Sequence, residues 1–412
     1  MTAHQSEREV GRKTIWCVSK YAVPLEYGYG HRLFSLASEF RKLGHRAIVI
    51  TSNSSHLSRR PRLTATYTNI NHGGVETWWI RTLQYAGSGS FKRVLSWIDF
   101  EIKLRLMPKR RLPQPDVVIV SSLSLLTILN GYRLKRKYGS RLIFEVRDIW
   151  PLTLVEEAGF SQRNPLVRLL GWIERFGYSK ADVIVGTMPN LAEHVQQVGG
   201  NAQKCHCMPL GYDPELYCEG RPLPEGYKAQ YIPEGRFIVG YAGSMGTTNA
   251  LDTLIQCAIE MQEDESVHFL LVGEGALRER FKKQTAKLHN ITFAPKVTKS
   301  QVQSILSHCE VLYFAAEPSA VWRYGQSLNK LIDYMMAAKP IVASYSGYPS
   351  MVNEAECGVF VPAKDIGALK SAIREFAQMP AEELAQMGRR GRDWIEKNRP
   401  YEQIARDYAE LL

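Results

Sequence analysis

The chain has 412 residues, more than a single core of about 100–200 residues organises, so two domains of similar size are expected. Apolar residues make up 45%, ordinary for a soluble globular protein, and no run reaches the roughly 18 consecutive apolar residues that a membrane-spanning helix needs. The net charge is +11, but residues 1–140 hold 23 Lys/Arg against 8 Asp/Glu, while the remainder holds 29 against 33. A basic half suits a phosphate-rich partner: nucleic acid, an anionic membrane surface or a diphosphate lipid. Its bland alternative is a solvated basic surface. Seven cysteines without a regular framework point to a reducing compartment, and the polar start MTAHQSEREVGRK lacks the apolar region of a secretory signal.

In chain order, strands are expected at 14–19 (TIWCVS), 46–52 (RAIVITS), 116–122 (DVVIVSS), 141–148 (RLIFEVRD) and 181–187 (ADVIVGT). Between the first two lies a helix at 31–43, where Leu33, Phe34, Leu36, Ala37, Phe40 and Leu43 form one apolar stripe and Gly44 supplies the stop. Cys205 and Cys207 sit on a short probable strand with no second ligand pair at zinc spacing, so they read as structural. A second series follows at 237–244, 268–275, 291–296, 310–317, 340–346 and 358–362. Near-continuous Val/Ile/Leu runs mark strands buried on both faces. Two such series imply two doubly wound α/β domains, joined near 200–215, where Pro209, Gly211 and Pro214 punctuate the chain. The domains are read as 1–205, 206–390 and a closing helix at 391–412. A ligand site is expected in the cleft between the carboxyl ends of the two sheets.

Five turns there could carry chemistry. Tyr27–His31 (YGYGH) follows the first strand and opens a helix, a setting that favours an anion, although the spacing is not that of a dinucleotide fingerprint. Arg147 and Asp148 end the fourth strand, where they could orient an acceptor hydroxyl or hold a diphosphate; a strand-end cap with an ion pair is the alternative. The second domain opens with GYAGSMGTTN, whose Gly243, Ser244 and Gly246 present backbone N–H groups to a diphosphate. Gly273 and the pair Lys296–Val297 end the next two strands. The strongest stretch is 324–340 (YGQSLNKLIDYMMAAKP). Ser327 is the expected N-cap of a helix from Leu328 to about Ala338, with Lys330 in its first turn and Asp333 at i+3 on the same face. A cation in a first turn opposes the helix dipole unless a diphosphate sits there. Asp333 then suits ribose hydroxyls, the alternative being a surface lysine and a solvated aspartate.

On these residues the chain resembles retaining glycosyltransferases of the GT-B fold, in glycosyltransferase family 4 (group 1). The subgroup that acts in bacterial surface-polysaccharide assembly carries YG-x-SPNKLFDYMAAGKP, close to YGQSLNKLIDYMMAAKP here. FSLASEFRKLGHRAIVITS, FEVRDIWP and GYAGSMG match as well, so the likeness spans most of the chain. It implies an α/β, two-domain Rossmann-like enzyme, nucleotide-sugar in the second domain, acceptor in the first, and a last helix around 401–412 that returns to the first domain. Asp333 matches the second acid of the family's E-x7-E element, Lys330 the subgroup lysine near the donor phosphates and Gly30 the glycine turn that faces the donor. The first acid falls at Gly325, which leaves the donor sugar to another group such as Glu317. The Arg and Lys with which the family grips the donor phosphates in this turn are matched to Ser244 and Asn249, which shifts weight to Lys330 and Arg323. Leu328 replaces the subgroup proline, and the frequent strand-four histidine is Arg147.

The resemblance implies metal-independent transfer of a hexose-type sugar from a UDP-sugar co-substrate, with no other cofactor. Retention would follow from attack on the face that the diphosphate leaves. Donor contacts are assigned to Gly30, Gly243, Ser244, Gly246, Gly273, Lys296, Val297, Glu317, Arg323, Tyr324, Gly325, Ser327, Asn329, Lys330 and Asp333. Acceptor contacts are assigned to Tyr29, His31 and Asp148, and catalysis to Asp148, Arg147 and Lys330. Residues 91–111 mix Trp97, Ile98, Phe100 and Leu104 with seven Lys/Arg, which fits peripheral contact with an anionic inner membrane and a polyprenyl-diphosphate-linked acceptor. A core-packed helix with a basic face is the alternative. A cytoplasmic location is expected, and nucleic-acid binding is not, because no base-stacking motif accompanies the charge. Two rival readings are a nucleotide-sugar 2-epimerase and a non-catalytic binding subunit of the same fold.

Overall fold

The computed structural model describes residues 11–28, 31–55, 60–85, 91–217 and 221–412. Eight strands form the first sheet: β1 Thr14–Val18, β2 Arg46–Ser52, β3 Tyr67–His72, β4 Val75–Ile80, β5 Val117–Ser121, β6 Arg141–Val146, β7 Val183–Gly186 and β8 Cys205–Cys207. Their order is β3-β4-β2-β1-β5-β6-β7-β8, parallel except for the β3–β4 pair. Side chains alternate across β1. Trp16 and Val18 join Ile48, Ile50 and Val120 on the face covered by α2 (Phe91–Leu106), α3 (Thr127–Tyr138) and the helix Pro165–Lys180. Ile15 and Cys17 join Val49 and Ile119 on the other face, under α1 (Arg32–Lys42). The last helix, Tyr401–Ala409, packs on that same face through Tyr401, Ile404 and Tyr408, with Tyr408 5.6 Å from the Phe40 ring.

The hairpin β3–β4 had no counterpart among the expected strands. Its turn is Gly73-Gly74, both at positive φ (55° and 87°), a two-residue connection that suits the twist of paired strands.

The second sheet is fully parallel: β9 Phe237–Ala242, β10 Val267–Val272, β11 Ile291–Ala294, β12 Val311–Ala315, β13 Ile341–Ser344 and β14 Gly358–Val361, in the order β11-β10-β9-β12-β13-β14. Both sheets reverse strand order beside their first strand, at β1/β5 and at β9/β12. Crevices for ligands open beyond the carboxyl ends at such points.

Two structures fix the domains against each other. A fully buried ion pair, Arg32 Nε to Glu145 Oε2 at 3.0 Å, joins α1 to β6, and the same guanidinium donates to the carbonyls of Met208 and Pro209 at 2.6 Å each. The interdomain linker is thereby pinned to the first domain. From the second domain, the turn Ala320–Tyr324 reaches back. Tyr324 is 3% exposed, sits in the first-domain core and donates to Gln197 Oε1 at 2.7 Å. Gly325 follows at φ +97°, where an added Cβ would stand 2.5 Å from Pro189 Cδ. No helix among the described residues is long and apolar enough to cross a membrane.

Candidate functional site

Two cavities flank the start of the helix Asn329–Met336 and share Asn329. The helix begins later than expected. Leu328, in an extended conformation, precedes it and gives no side-chain cap. Ser327 is therefore not the N-cap; its Oγ accepts a hydrogen bond from the Leu210 N–H of the interdomain linker at 2.8 Å. Leu331 N–H donates back to Leu328 O at 3.2 Å, and the N–H groups of Asn329 and Lys330 are left to a ligand or solvent.

The first cavity, about 320 Å³, is lined by Arg147, Asp148 and Thr187 from the first domain. Thr248, Asn249, Phe314, Gly325, Gln326, Ser327, Asn329 and Lys330 close it from the second. The Lys330 ammonium donates to Asn249 Oδ1 at 2.8 Å and to Tyr241 Oη at 3.1 Å, and stands 4.5 Å from the Tyr241 ring centroid. No carboxylate pairs with it among the described residues, and burial pushes its pKa down to about 7. A cation held this way, beside open helix N–H groups, is an anion site in electrostatic terms. Across the cavity, Asp148 keeps contact with solvent but is crowded on its other sides. That crowding raises its pKa, against the opposing pull of Arg147, Trp150 and Arg93.

The second cavity, about 400 Å³, is lined by Gly28 and His31 of the first domain, Gly211, Asp213 and Tyr217 of the linker, and Lys299, Asn329 and Ile332 of the second. Burial, then Lys299 and Arg147, hold His31 near pKa 4, so its imidazole is neutral at pH 7. Asp333, 8% exposed, accepts from Tyr217 Oη at 2.6 Å and is ion-paired with Lys299. Lys330 and Asp333 therefore serve opposite flanks of the helix rather than one face.

The glycine turns act through close backbone approach. An added Cβ at Gly243 would come within 3.2 Å of Lys330 Cε, and one at Gly273 within 1.9 Å of Gly243 O. Met245 N donates to Glu274 O at 2.9 Å, locking the two loops. Ser244 accepts the Tyr241 hydroxyl on its carbonyl at 2.6 Å, and Gly246 precedes the turn that carries Asn249.

Other expected contacts lie elsewhere. Glu317 is paired with Lys364 at 2.6 Å, Arg323 with Glu193, and Tyr324 is spent on the first-domain core; none of the three lines either cavity. Lys296 is exposed and Val297 packs against the second-domain core, also away from both cavities. Tyr29 and Gly30 lie outside the described residues. Sequence reasoning had not assigned Tyr241, Thr248, Phe314 or Gln326 to the site, nor Lys299 and Tyr217. Tyr241 and Thr248 lie inside the motif GYAGSMGTTN, the signal that could have found them.

A family model described as "Glycosyl transferase 4-like domain" matches residues 27–211, and one described as "Glycosyl transferases group 1" matches 236–379. The probable glycosyltransferase WbjE of Pseudomonas aeruginosa is 24% identical over 313 residues, 73% of this chain and 74% of that one. The putative colanic acid biosynthesis glycosyltransferase WcaL of Escherichia coli (strain K12) is 32% identical over 240 residues, 57% of each. Among solved structures, sucrose-phosphate synthase from Thermosynechococcus elongatus superposes with a TM-score of 0.73 at 19% identity, covering 97% of this chain and 98% of that one. Anabaena HepE in complex with UDP-glucose gives 0.64 at 15%, covering 97% and 99%. At these identities the structural likeness establishes the GT-B fold.

Proposed function

Because the chain belongs to the group 1 glycosyltransferases, a glycosyl transferase 4-like domain preceding a group 1 domain, we propose that it moves a hexose-type sugar from a UDP-sugar to a glycan or polyprenyl-diphosphate-linked acceptor in bacterial surface-polysaccharide assembly. The name of WcaL supports the pathway class, and the UDP-glucose held by HepE supports the donor class. The observation that carries the donor reading is Lys330, an ammonium without a carboxylate partner beside an uncapped helix start.

With the donor diphosphate at that helix start, the leaving group's growing charge meets Lys330 and, from the 243–246 turn, the N–H groups of Ser244 and Gly246, those of Gly243 and Met245 being bonded to Val272 and Glu274. The acceptor hydroxyl attacks the anomeric carbon on the face that the diphosphate leaves. The bond from carbon to phosphate oxygen breaks as the new glycosidic bond forms, and the acceptor proton passes to a donor phosphate oxygen. Configuration is retained. Asp148, across the same cavity, orients the acceptor hydroxyl. The charge is handled by the protein's own groups, so the proposed step uses no metal and no further cofactor.

Membrane contact is part of this proposal. The outer face of α2 exposes Leu95, Ile98, Ile102 and Leu106 (38, 44, 52 and 69%), one stripe at helical spacing. At its end lies a cavity of about 730 Å³ bordered by Arg105, Lys109, Arg110, Arg133 and Lys137, with no acidic side chain among its lining residues. An apolar stripe ending in clustered cations fits an anionic leaflet approached from the cytoplasm.

A thermal-shift screen of nucleotide sugars on the parent, Lys330→Ala and Asp333→Ala tests the donor site. A UDP-sugar should stabilise the parent and do so weakly or not at all in Lys330→Ala. Equal stabilisation of both variants and the parent would refute the site.

A further inference from the structure

One polar side chain in the first cavity is left without a partner. Gln326 is 8% exposed and borders the cavity with Gly325, Asn329 and Lys330, yet neither its Oε1 nor its Nε2 meets a hydrogen-bonding group. A buried amide bare on both atoms is unusual in a folded protein and is destabilising as it stands. A methionine of similar length would serve packing better. The position is therefore explained by something that binds.

The geometry also says why this residue carries the task. Gly325, its neighbour, can bear no side chain, because Pro189 of the first domain occupies the space at 2.5 Å. Three other polar groups around the helix start are committed, Ser327 to Leu210, Lys330 to Asn249 and Tyr241, and Asp333 to Tyr217 and Lys299; Asn329, which borders both cavities, is less buried than Gln326. A donor whose diphosphate lies at Lys330 leaves its sugar in the rest of the same cavity, on the way to Asp148.

We propose that Gln326 recognises the transferred sugar, its Nε2 donating to one hydroxyl oxygen and its Oε1 accepting from the adjacent hydroxyl. A carboxamide presents a donor and an acceptor side by side, and a pair of neighbouring hydroxyls on a pyranose offers the complement. The ligand class is a neutral hexose with two adjacent free hydroxyl groups. This rests on the UDP-sugar reading above and adds the group that reads the sugar rather than the nucleotide.

Isothermal titration of the full chain with UDP, UDP-glucose and UDP-galactose separates the two ideas. For the parent, at least one UDP-hexose binds more tightly than UDP. In Gln326→Met, affinity for UDP stays within about twofold, while the added affinity for that UDP-hexose falls about tenfold, the size of a lost hydrogen-bonded pair. Gln326→Glu, which keeps an acceptor and loses the donor, falls in between. Equal weakening toward UDP and UDP-hexose would mark Gln326 as structural, and unchanged affinity for both would remove it from the site. If the parent itself binds neither UDP nor either UDP-hexose, the donor reading fails, and the inference falls with it.

Discussion

The Lys330 ammonium lies 2.8 Å from Asn249 Oδ1, although the two residues come from opposite walls of the second domain's crevice, a helix start and the turn after β9. Because the two side chains meet in one hydrogen bond, a cation carried at either position would deliver its charge to nearly the same place. Exchanging them should restore function. Lys330→Asn alone should lower transfer by about 10²-fold, a typical loss for one transition-state charge contact. Lys330→Asn combined with Asn249→Lys should recover at least a tenth of the parent rate. A double variant no better than the single would show that the two positions are not equivalent. Steady-state kinetics with a saturating acceptor reads this directly.

The same lysine links donor binding to pH. Burial brings its pKa to about 7, so in the free protein the ammonium loses its proton as pH rises through 7. A bound diphosphate favours the charged form and raises that pKa. Donor affinity should therefore be constant well below pH 7 and fall by up to about tenfold per pH unit above it, until the bound-state pKa is reached. Stability runs the other way. Between about 7 and the ordinary lysine value the unfolded chain binds more protons, so the free protein gains stability from this group as pH rises. Lys330→Met should melt higher than the parent at pH 7 without ligand, and its affinity for UDP should lose the pH dependence. Titrations at pH 6, 7, 8 and 9 suffice to check both.

Much of this was legible in the sequence, for identifiable reasons. Strands buried on both faces leave continuous apolar runs, so β1, β2, β5, β6 and β7 could be read, as could the whole second sheet. The β3–β4 hairpin was not read because YTNINH is polar along most of its length and VETWWI, though largely buried, lacks the continuous Val/Ile/Leu run of its neighbours; the Gly-Gly between them is the signal that could have found it. In the site, Lys330 could be placed because a cation in a first turn is a local misfit. Glu317, Arg323 and Tyr324 could not. Their side chains are taken by Lys364, Glu193 and the His194–Gln197 pocket, and two of those partners belong to the other domain. Local pattern carries no information about which surface a distant domain covers. Gln326 was missed because an unpaired amide is a property of packing, not of spacing.

Asp148 should separate binding from transfer. It borders the first cavity from the first domain, while Lys330 and its partner Asn249 border it from the second. Asp148→Asn should bind UDP within about twofold of the parent and lose about 10²–10⁴-fold in kcat, the range for a group that engages the reacting hydroxyl. A comparable loss of UDP affinity would place Asp148 on the donor instead. Titration and initial rates on the same preparation decide.

The Arg32–Glu145 pair should dominate local stability. Both side chains are essentially unexposed, at 1% and 0%, and the guanidinium also satisfies two linker carbonyls. Arg32→Met strands a buried carboxylate and frees the linker, so unfolding should become easier by about 3–5 kcal/mol. Adding Glu145→Met removes the stranded charge, and the double variant should be less destabilised than the single. Chemical denaturation followed by fluorescence measures both. A double variant that loses the sum of the two single effects would mean that the pair acts as two independent groups.

Contact with an anionic leaflet makes a prediction about salt and side chains together. The α2 stripe and the five cations at its end differ in what they respond to. Charge attraction near a membrane surface is worth about 1 kcal/mol per Lys or Arg and is screened within a Debye length. Sedimentation with vesicles rich in phosphatidylglycerol should therefore show binding that drops at least about tenfold when salt is raised several-fold, and little binding to phosphatidylcholine vesicles. Changing Arg105, Arg133 and Lys137 together to Ala should lower binding at low salt about 10²-fold. Ile102→Ser should weaken it at all salt concentrations, because the apolar term is unscreened. None of these side chains lines either cavity beside the helix Asn329–Met336, so UDP affinity should be unchanged in every variant. Binding that ignores both salt and lipid charge would rule out the leaflet as the partner of this face. A concentration-dependent dimer abolished by Ile102→Ser would assign the face to a second copy of the chain.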